Sequence, residues 1–296
     1  MRFSAVSLLV LAAAAAPAVR AAAPPADTLS PADRAEARIR AGDADGASAI
    51  AEAALVDAPG DAALWRVVGE AYGMRARTAP LLSRYRLAKK CREAFEKAVA
   101  LAPEDVEARL ALFTYYLEAP GIAGGGTGRA REQAEAIARL DPARGHVALG
   151  VLFTREKELS RAEAEYRSAL EADPRNSEAR AGLGALLVDQ GRFEEARRTW
   201  LALSEDPDVG PIAHFQLGAI ARLSGSGLEE GIEHLKRYLA SPPPPDAPTW
   251  ADAQWTLGVL YEKVGRRAEA VTALRDALRL DPDHTEARKE LRRLGE

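Results

Sequence analysis

One phrase recurs along this chain, and its spacing constrains the fold more than any other feature. A leucine- and alanine-rich stretch closes on Asp-Pro or Ala-Pro at Ala54–Pro59, Ala98–Pro103, Ala169–Pro174 and Ala277–Pro282, with shorter or altered versions ending at Pro142, Pro207 and Pro243. Successive prolines of this set lie 44, 39, 32, 33, 36 and 39 residues apart. Repetition at a fixed period of tens of residues signals stacked units, each burying its apolar face only against its neighbours.

The interior of each period predicts two helices. Leucine and an aromatic recur four residues apart with a glycine between them, at Val68, Gly69 and Tyr72, and at Leu257, Gly258 and Tyr261. The same pattern runs through His146, Leu149, Gly150 and Phe153, followed by Ala162, Tyr166, Ala169 and Pro174. It recurs at Arg180, Leu183, Gly184 and Leu187, then Ala196, Trp200 and Pro207, and again at His214, Leu217 and Gly218, then Leu235 and Pro243. Residues four apart share one helix face, so the leucine and aromatic form a buried stripe. The central glycine admits a second helix against the backbone. Gly191, Gly225 and Gly265 are placed to end the first helix with φ > 0. Small residues on the second helix (Ala162, Ala196, Ala270) mark where the two helices cross, and proline then begins the next unit.

Trp65, Val68, Gly69 and Tyr72 together resemble the W-x2-L-G-x2-Y phrase of the tetratricopeptide repeat (TPR), whose period is ~34 residues. The resemblance runs over about 28–296. It implies an all-α, right-handed solenoid of about seven helical hairpins that presents a concave surface to peptides or folded partners. The units are expected at about 29–59, 62–103, 106–142, 143–174, 177–207, 211–243 and 251–282, with a polar capping helix at 284–294. The chain is also similar to exported bacterial TPR proteins of unassigned activity. The carboxylate clamp by which some TPR domains hold chaperone C-termini needs groove asparagines; Asn176 is the only asparagine and precedes a helix, which sets that subclass aside.

The N-terminus is expected to be a cleaved secretory signal. Met1-Arg2 is followed by an apolar run from Val6 to Ala16, then Pro17 and small residues through Ala23, the order of charge, apolar stretch and small residues that a signal peptide carries. The run is about half the ~20 residues that span a bilayer. The expectation is therefore a signal over 1–23, a linker over 24–28, and a periplasmic or secreted product; the alternative is an inner-membrane anchor.

Chemistry finds little support. Cys91 is the only cysteine, so an intramolecular disulfide and a cysteine metal cluster are both excluded, and its place in the small-residue slot predicts a buried thiol. The run Gly121–Gly128 lacks the lysine of a phosphate-binding loop and follows a helical stretch. The expectation is a long flexible connection; the rival is an anion site made of the loop amides, the N-terminus of the next helix, Arg129 and Arg131. No H-E-x-x-H or G-x-S-x-G phrase occurs. His146 and His214 fall in the slot of Trp65 and are expected to pack half-buried, with no carboxylate–histidine grouping. A net charge of −4 announces no nucleic-acid partner.

The expectation is thus a non-enzymatic binding scaffold with no cofactor. Its competitors are a membrane-anchored assembly factor and an anion- or nucleotide-binding regulator using Gly121–Gly128. On the first helices, Val147, Val151 and Arg155, Phe215, Ala219 and Arg222, and Trp255, Val259 and Glu262 are the expected groove residues for an unidentified peptide or protein. Phe215 and Trp255 are expected side by side on one wall as exposed anchors. Arg84, Arg86, Lys89 and Lys90 belong to a run from Arg75 to Arg92 without an acidic residue, a candidate docking face for an acidic protein or an anionic lipid headgroup.

Overall fold

The computed structural model describes residues 29–244 and 247–296, which contain fifteen α-helices and no strand. The expected signal segment lies outside the described residues. The chain divides between Asp173 and Pro174 into two compact units. The first holds α1 (Pro31–Arg40), α2 (Ala44–Asp57), α3 (Ala62–Thr78), α4 (Leu81–Leu101), α5 (Val106–Glu118), α6 (Thr127–Leu140), α7 (Pro142–Glu156) and α8 (Leu159–Ala172). The second holds α9 (Ser177–Asp189), α10 (Phe193–Leu201), α11 (Gly210–Ser224), α12 (Leu228–Leu239), α13 (Trp250–Lys263), α14 (Arg267–Leu280) and α15 (Thr285–Arg293). Consecutive helices pair as antiparallel hairpins (α1 with α2, α3 with α4, and so on to α13 with α14), and α15 lies against α14. The all-helical hairpin architecture implied by the repeat is what the structure shows. No described helix is long and apolar enough to cross a membrane.

The recurring proline has a local mechanism that its spacing alone does not reveal. Two residues after it sits an N-cap: Asp61, Asp105, Asn176 and His284 accept the backbone N–H of Leu64, Ala108, Ala179 and Ala287 at 3.1, 3.2, 2.8 and 3.2 Å. Each cap satisfies one of the N–H groups that a helix start leaves without an intrahelical partner. Four residues after the cap, a long donor reaches back to the carbonyl of the proline. Trp65 Nε1 donates to Pro59, Arg109 Nε to Pro103 and Arg180 Nη2 to Pro174 at 2.9, 2.6 and 2.5 Å, and Arg288 does the same to Pro282. Cap and donor together hold the turn at the proline against the first turn of the helix that follows.

Within a hairpin, the central glycine sets how closely the helices approach. A Cβ on Gly150 would stand 2.7 Å from the Tyr166 ring, one on Gly184 2.7 Å from Trp200, and one on Gly258 2.7 Å from Leu274. Gly69 and Gly218 are filled in the same way by Phe95 and Leu235. These second-helix side chains occupy the space a methyl would need, which is why the position carries glycine although glycine costs helix stability. Cys91 packs beside Gly73, and burial pushes its thiol up to about 12, so it is an inert part of the core.

The turns inside the hairpins do not all follow one pattern. Gly191, Gly225 and Gly265 adopt φ of 72°, 74° and 81°, as their positions require, but between α7 and α8 the left-handed place is held by Lys157 at φ 63°. A side chain there costs about 1–2 kcal/mol. Lys157→Gly is expected to raise stability by ~0.5–1 kcal/mol once the extra freedom of glycine in the unfolded chain is subtracted. Urea unfolding should show a higher midpoint at unchanged slope; no gain would mean that contacts of the lysine side chain offset the strain.

Candidate partner-binding surfaces

In the C-terminal unit, α11 and α13 lie side by side, and α13 in turn meets α15. Positions three before and one and four after the central glycine fall on this shared side. They are Phe215, Ala219 and Arg222 around Gly218, and Trp255, Val259 and Glu262 around Gly258, all six half-buried. The Arg222 guanidinium lies over the Trp255 ring, 4.7 Å from its centre, and the Trp255 ring is 5.7 Å from that of His284 at the start of α15. Glu262 pairs with Arg293 of α15. The structure therefore joins these six positions into one strip with an apolar floor and charged edges.

The two aromatics are set differently from the expectation of exposed anchors. Phe215 and Trp255 pack against the core cluster that includes Tyr238, Leu257, Leu260 and Leu274, and the Phe215 and Tyr238 rings are 5.4 Å apart. Trp255 Nε1 is buried with no hydrogen-bond partner among the described residues. These rings are shared between repeat packing and the strip surface.

In the N-terminal unit, the groove residues expected on α7 do not form such a wall. Val147 and Val151 are buried and only Arg155 is exposed. Apolar side chains on a first helix with neighbours on two sides are taken up in the packing, so these valines belong to the core. The equivalent side of α3 is ionic. Arg66 pairs with Glu36 of α1 and, at 2.7 Å, with Glu70 one turn along α3. Burial would lower the Arg66 pKa, but Glu70 and Glu36 outweigh it and raise it. Burial likewise pushes Glu70 above its ordinary range, against the pull of Arg66. Further along, Arg144 of α7 pairs with Glu107 of α5 at 2.7 Å. Comparing Arg66 with Phe215 and Trp255, which hold the same place three residues before the central glycine, singles it out in the sequence.

Histidines and carboxylates meet where no sequence motif marked them. His146 Nδ1 lies 2.7 Å from Glu165 Oε2 across the α7–α8 hairpin. His214 and His234 stack across α11 and α12 with Nδ1 atoms 3.0 Å apart. Burial lowers both pKa values, and for His234 the neighbouring His214 adds to the effect. The pair is twenty residues apart, the offset at which a first helix faces its partner; His146 and Glu165 are nineteen apart. Among the described residues no group of three or more His, Cys, Asp or Glu side chains is placed to hold a metal.

The glycine-rich connection is ordered by its own hydrogen bonds rather than flexible. After a 3-10 turn at Gly121–Ala123, the amides of Ala123 and Gly125 donate to Pro120, that of Gly124 to Gly121, and that of Gly126 to Tyr116 at 2.7 Å. The buried Tyr115 hydroxyl donates to Ala123 O at 2.7 Å, and Arg129 caps Gly124 O at 2.8 Å. The amides of Ala123, Gly124, Gly125 and Gly126 are thus spent within the chain, whereas the start of α6 at Thr127 carries no side-chain cap. Arg131 is committed to Glu156 at 2.6 Å.

The basic run divides by partner. Arg75 pairs with Asp45 at 3.0 Å, Lys89 with Glu93 at 3.7 Å, and Lys90 donates to the Tyr72 hydroxyl at 3.2 Å, whereas Arg84 and Arg86 meet no carboxylate among the described residues.

Comparison with known proteins agrees with this architecture. Family models described as tetratricopeptide repeat match residues 122–177, 153–214 and 251–293. A type IV pilus assembly protein, PilF of Pseudomonas aeruginosa, is 38% identical over 84 residues, which is 28% of this chain and 33% of PilF. The chain thus spans about a third of that relative. The Cut9 and Hcn1 complex of the APC/C superposes with a TM-score of 0.64 at 16% identity, over 88% of this chain and 48% of the matched one. YrrB, a TPR protein with an unusual peptide-binding site, superposes at 0.52 with 22% identity, over 68% of this chain and 99% of YrrB. At these identities the two structures speak to the fold alone.

Proposed function

This chain belongs to the tetratricopeptide-repeat superfamily, and from that premise we propose that it is a non-enzymatic scaffold of the bacterial cell envelope that holds a protein or peptide partner on the α11–α13 strip. The observation that carries the reading is the contiguity of Phe215, Ala219, Arg222, Trp255, Val259 and Glu262. Arg222 stacked on Trp255 ties neighbouring repeats into one surface with apolar, cationic and anionic positions in sequence. Such a surface suits an extended segment or an amphipathic helix, whose anchors recur at matching intervals. The envelope location is supported by the signal-like order of residues 1–23 and by the likeness of part of the chain to a pilus assembly protein.

A photo-crosslinking residue placed at Ala219 or Val259 should capture a partner from an envelope fraction, and one placed at the exposed Thr272 of α14 should not. Trp255→Ala should weaken that capture by ~1–3 kcal/mol, the range of interface anchors. Equal crosslinking from all three positions, or a Trp255→Ala protein that melts earlier yet keeps the partner, would move the binding surface elsewhere.

A further inference from the structure

The first two turns of helix α4 leave one side uncovered. Leu81 and Leu82 are 79% and 90% exposed and Tyr85 is 50% exposed, while the opposite side of the helix buries Cys91, Ala94, Phe95 and Ala98. Leu82, Tyr85, Arg86 and Lys89 follow an i, i+3, i+4, i+7 order and share one face. No acidic residue occurs between Glu70 and Glu93. Arg77, Arg84 and Arg86 are exposed and meet no carboxylate among the described residues.

We propose that this face docks on an anionic phospholipid surface, with Leu82 and the flanking Leu81 entering the acyl boundary and Arg86 and Lys89 holding headgroup phosphates. Charge complementarity selects an anionic occupant, because guanidinium groups without carboxylates gain most from phosphate. The leucines select a membrane over an acidic protein. Consecutive residues on a helix point about 100° apart, so the two leucines spread over a broad arc that a fluid interface takes up without a shaped groove. Tyr85 carries the apolar body and polar tip suited to that depth. This proposal stands apart from the α11–α13 strip and does not depend on it.

Co-sedimentation of the full chain with vesicles of equal parts phosphatidylglycerol and phosphatidylcholine, and with phosphatidylcholine alone, tests it. The wild type should bind the anionic vesicles, with binding weakening as salt rises. Arg86→Glu with Lys89→Glu should lower the partition constant by more than ~10-fold, since each basic group near an anionic surface contributes a factor of about 5. Leu81→Ser with Leu82→Ser should lower it by ~10-fold or more. These side chains are exposed, so the variants should melt like the wild type. The apolar run at 6–16 is common to every variant, so the reading rests on differences among them. Equal binding to neutral vesicles, or anionic binding that neither double variant changes, overturns the proposal. Loss on charge reversal with no effect of the serines also overturns it, because the leucines then enter no acyl boundary.

Discussion

Trp200→Ala is expected to destabilise the C-terminal unit by ~3–5 kcal/mol, as removal of a fully buried aromatic does. Trp200 is among the largest side chains that α9 and α10 enclose, and its ring rests on the bare backbone of Gly184. Gly184→Ala alone should cost ~1–3 kcal/mol, because the added methyl would stand 2.7 Å from Trp200 Nε1. In the Trp200→Ala background that methyl has space, so Gly184→Ala should become nearly neutral there. The two changes should therefore couple by ~1–3 kcal/mol in a double-mutant cycle measured by chemical denaturation. Strict additivity would show that the glycine is kept for some reason other than this close approach. Trp200→Phe should cost less than alanine, since it keeps most of the volume and removes a buried indole N–H that has no partner among the described residues.

Arg66→Ala should be the most damaging change among the charged residues, at ~2–3 kcal/mol. Its removal leaves Glu36 and Glu70 facing each other in a partly buried site; a fully buried pair would lose ~3–5 kcal/mol, and the residual solvent access of all three groups reduces that figure. The pH dependence carries the diagnosis. Glu70 already titrates above its ordinary range because it is buried, and losing Arg66 removes the charge that opposes the shift. A carboxyl group whose folded pKa is raised binds protons more tightly in the folded state, so its destabilisation appears as pH rises through that pKa and fades as pH falls. The deficit of Arg66→Ala relative to wild type should therefore be larger at pH 7 than at pH 5. A deficit that is the same at both values would mean that the arginine acts through its aliphatic stem.

The division between what the residues announce and what packing decides runs through individual positions. Gly184, Trp200, Gly191 and the recurring prolines could be read in one dimension because each answers a local demand: a close helix crossing, a left-handed turn, a helix that must stop. Those demands repeat with the period, so the helices, the hairpins and the family were legible before any contact was known. The buried thiol of Cys91 was legible too, since its slot in other repeats holds alanine.

What the tertiary structure decided is which faces remain available, and the reason is that exposure depends on neighbours the period does not specify. Val147 and Phe215 hold the same place in their repeats, yet the valine is core and the phenylalanine half-buried in a strip. Arg66 holds that place as well and becomes part of an ionic cluster because Glu36 arrives from another helix. His214 and His234 form no local motif, because pairing across a hairpin joins residues twenty positions apart. The glycine-rich run read as flexible because composition reports what a backbone can do, whereas its own carbonyls, Tyr115 and Arg129 determine what it does. The sequence by itself determined the repeat unit, since that follows from local backbone and helix-crossing chemistry. Only the tertiary structure settled the surfaces, since a side chain is exposed or enclosed according to what the next helix brings against it.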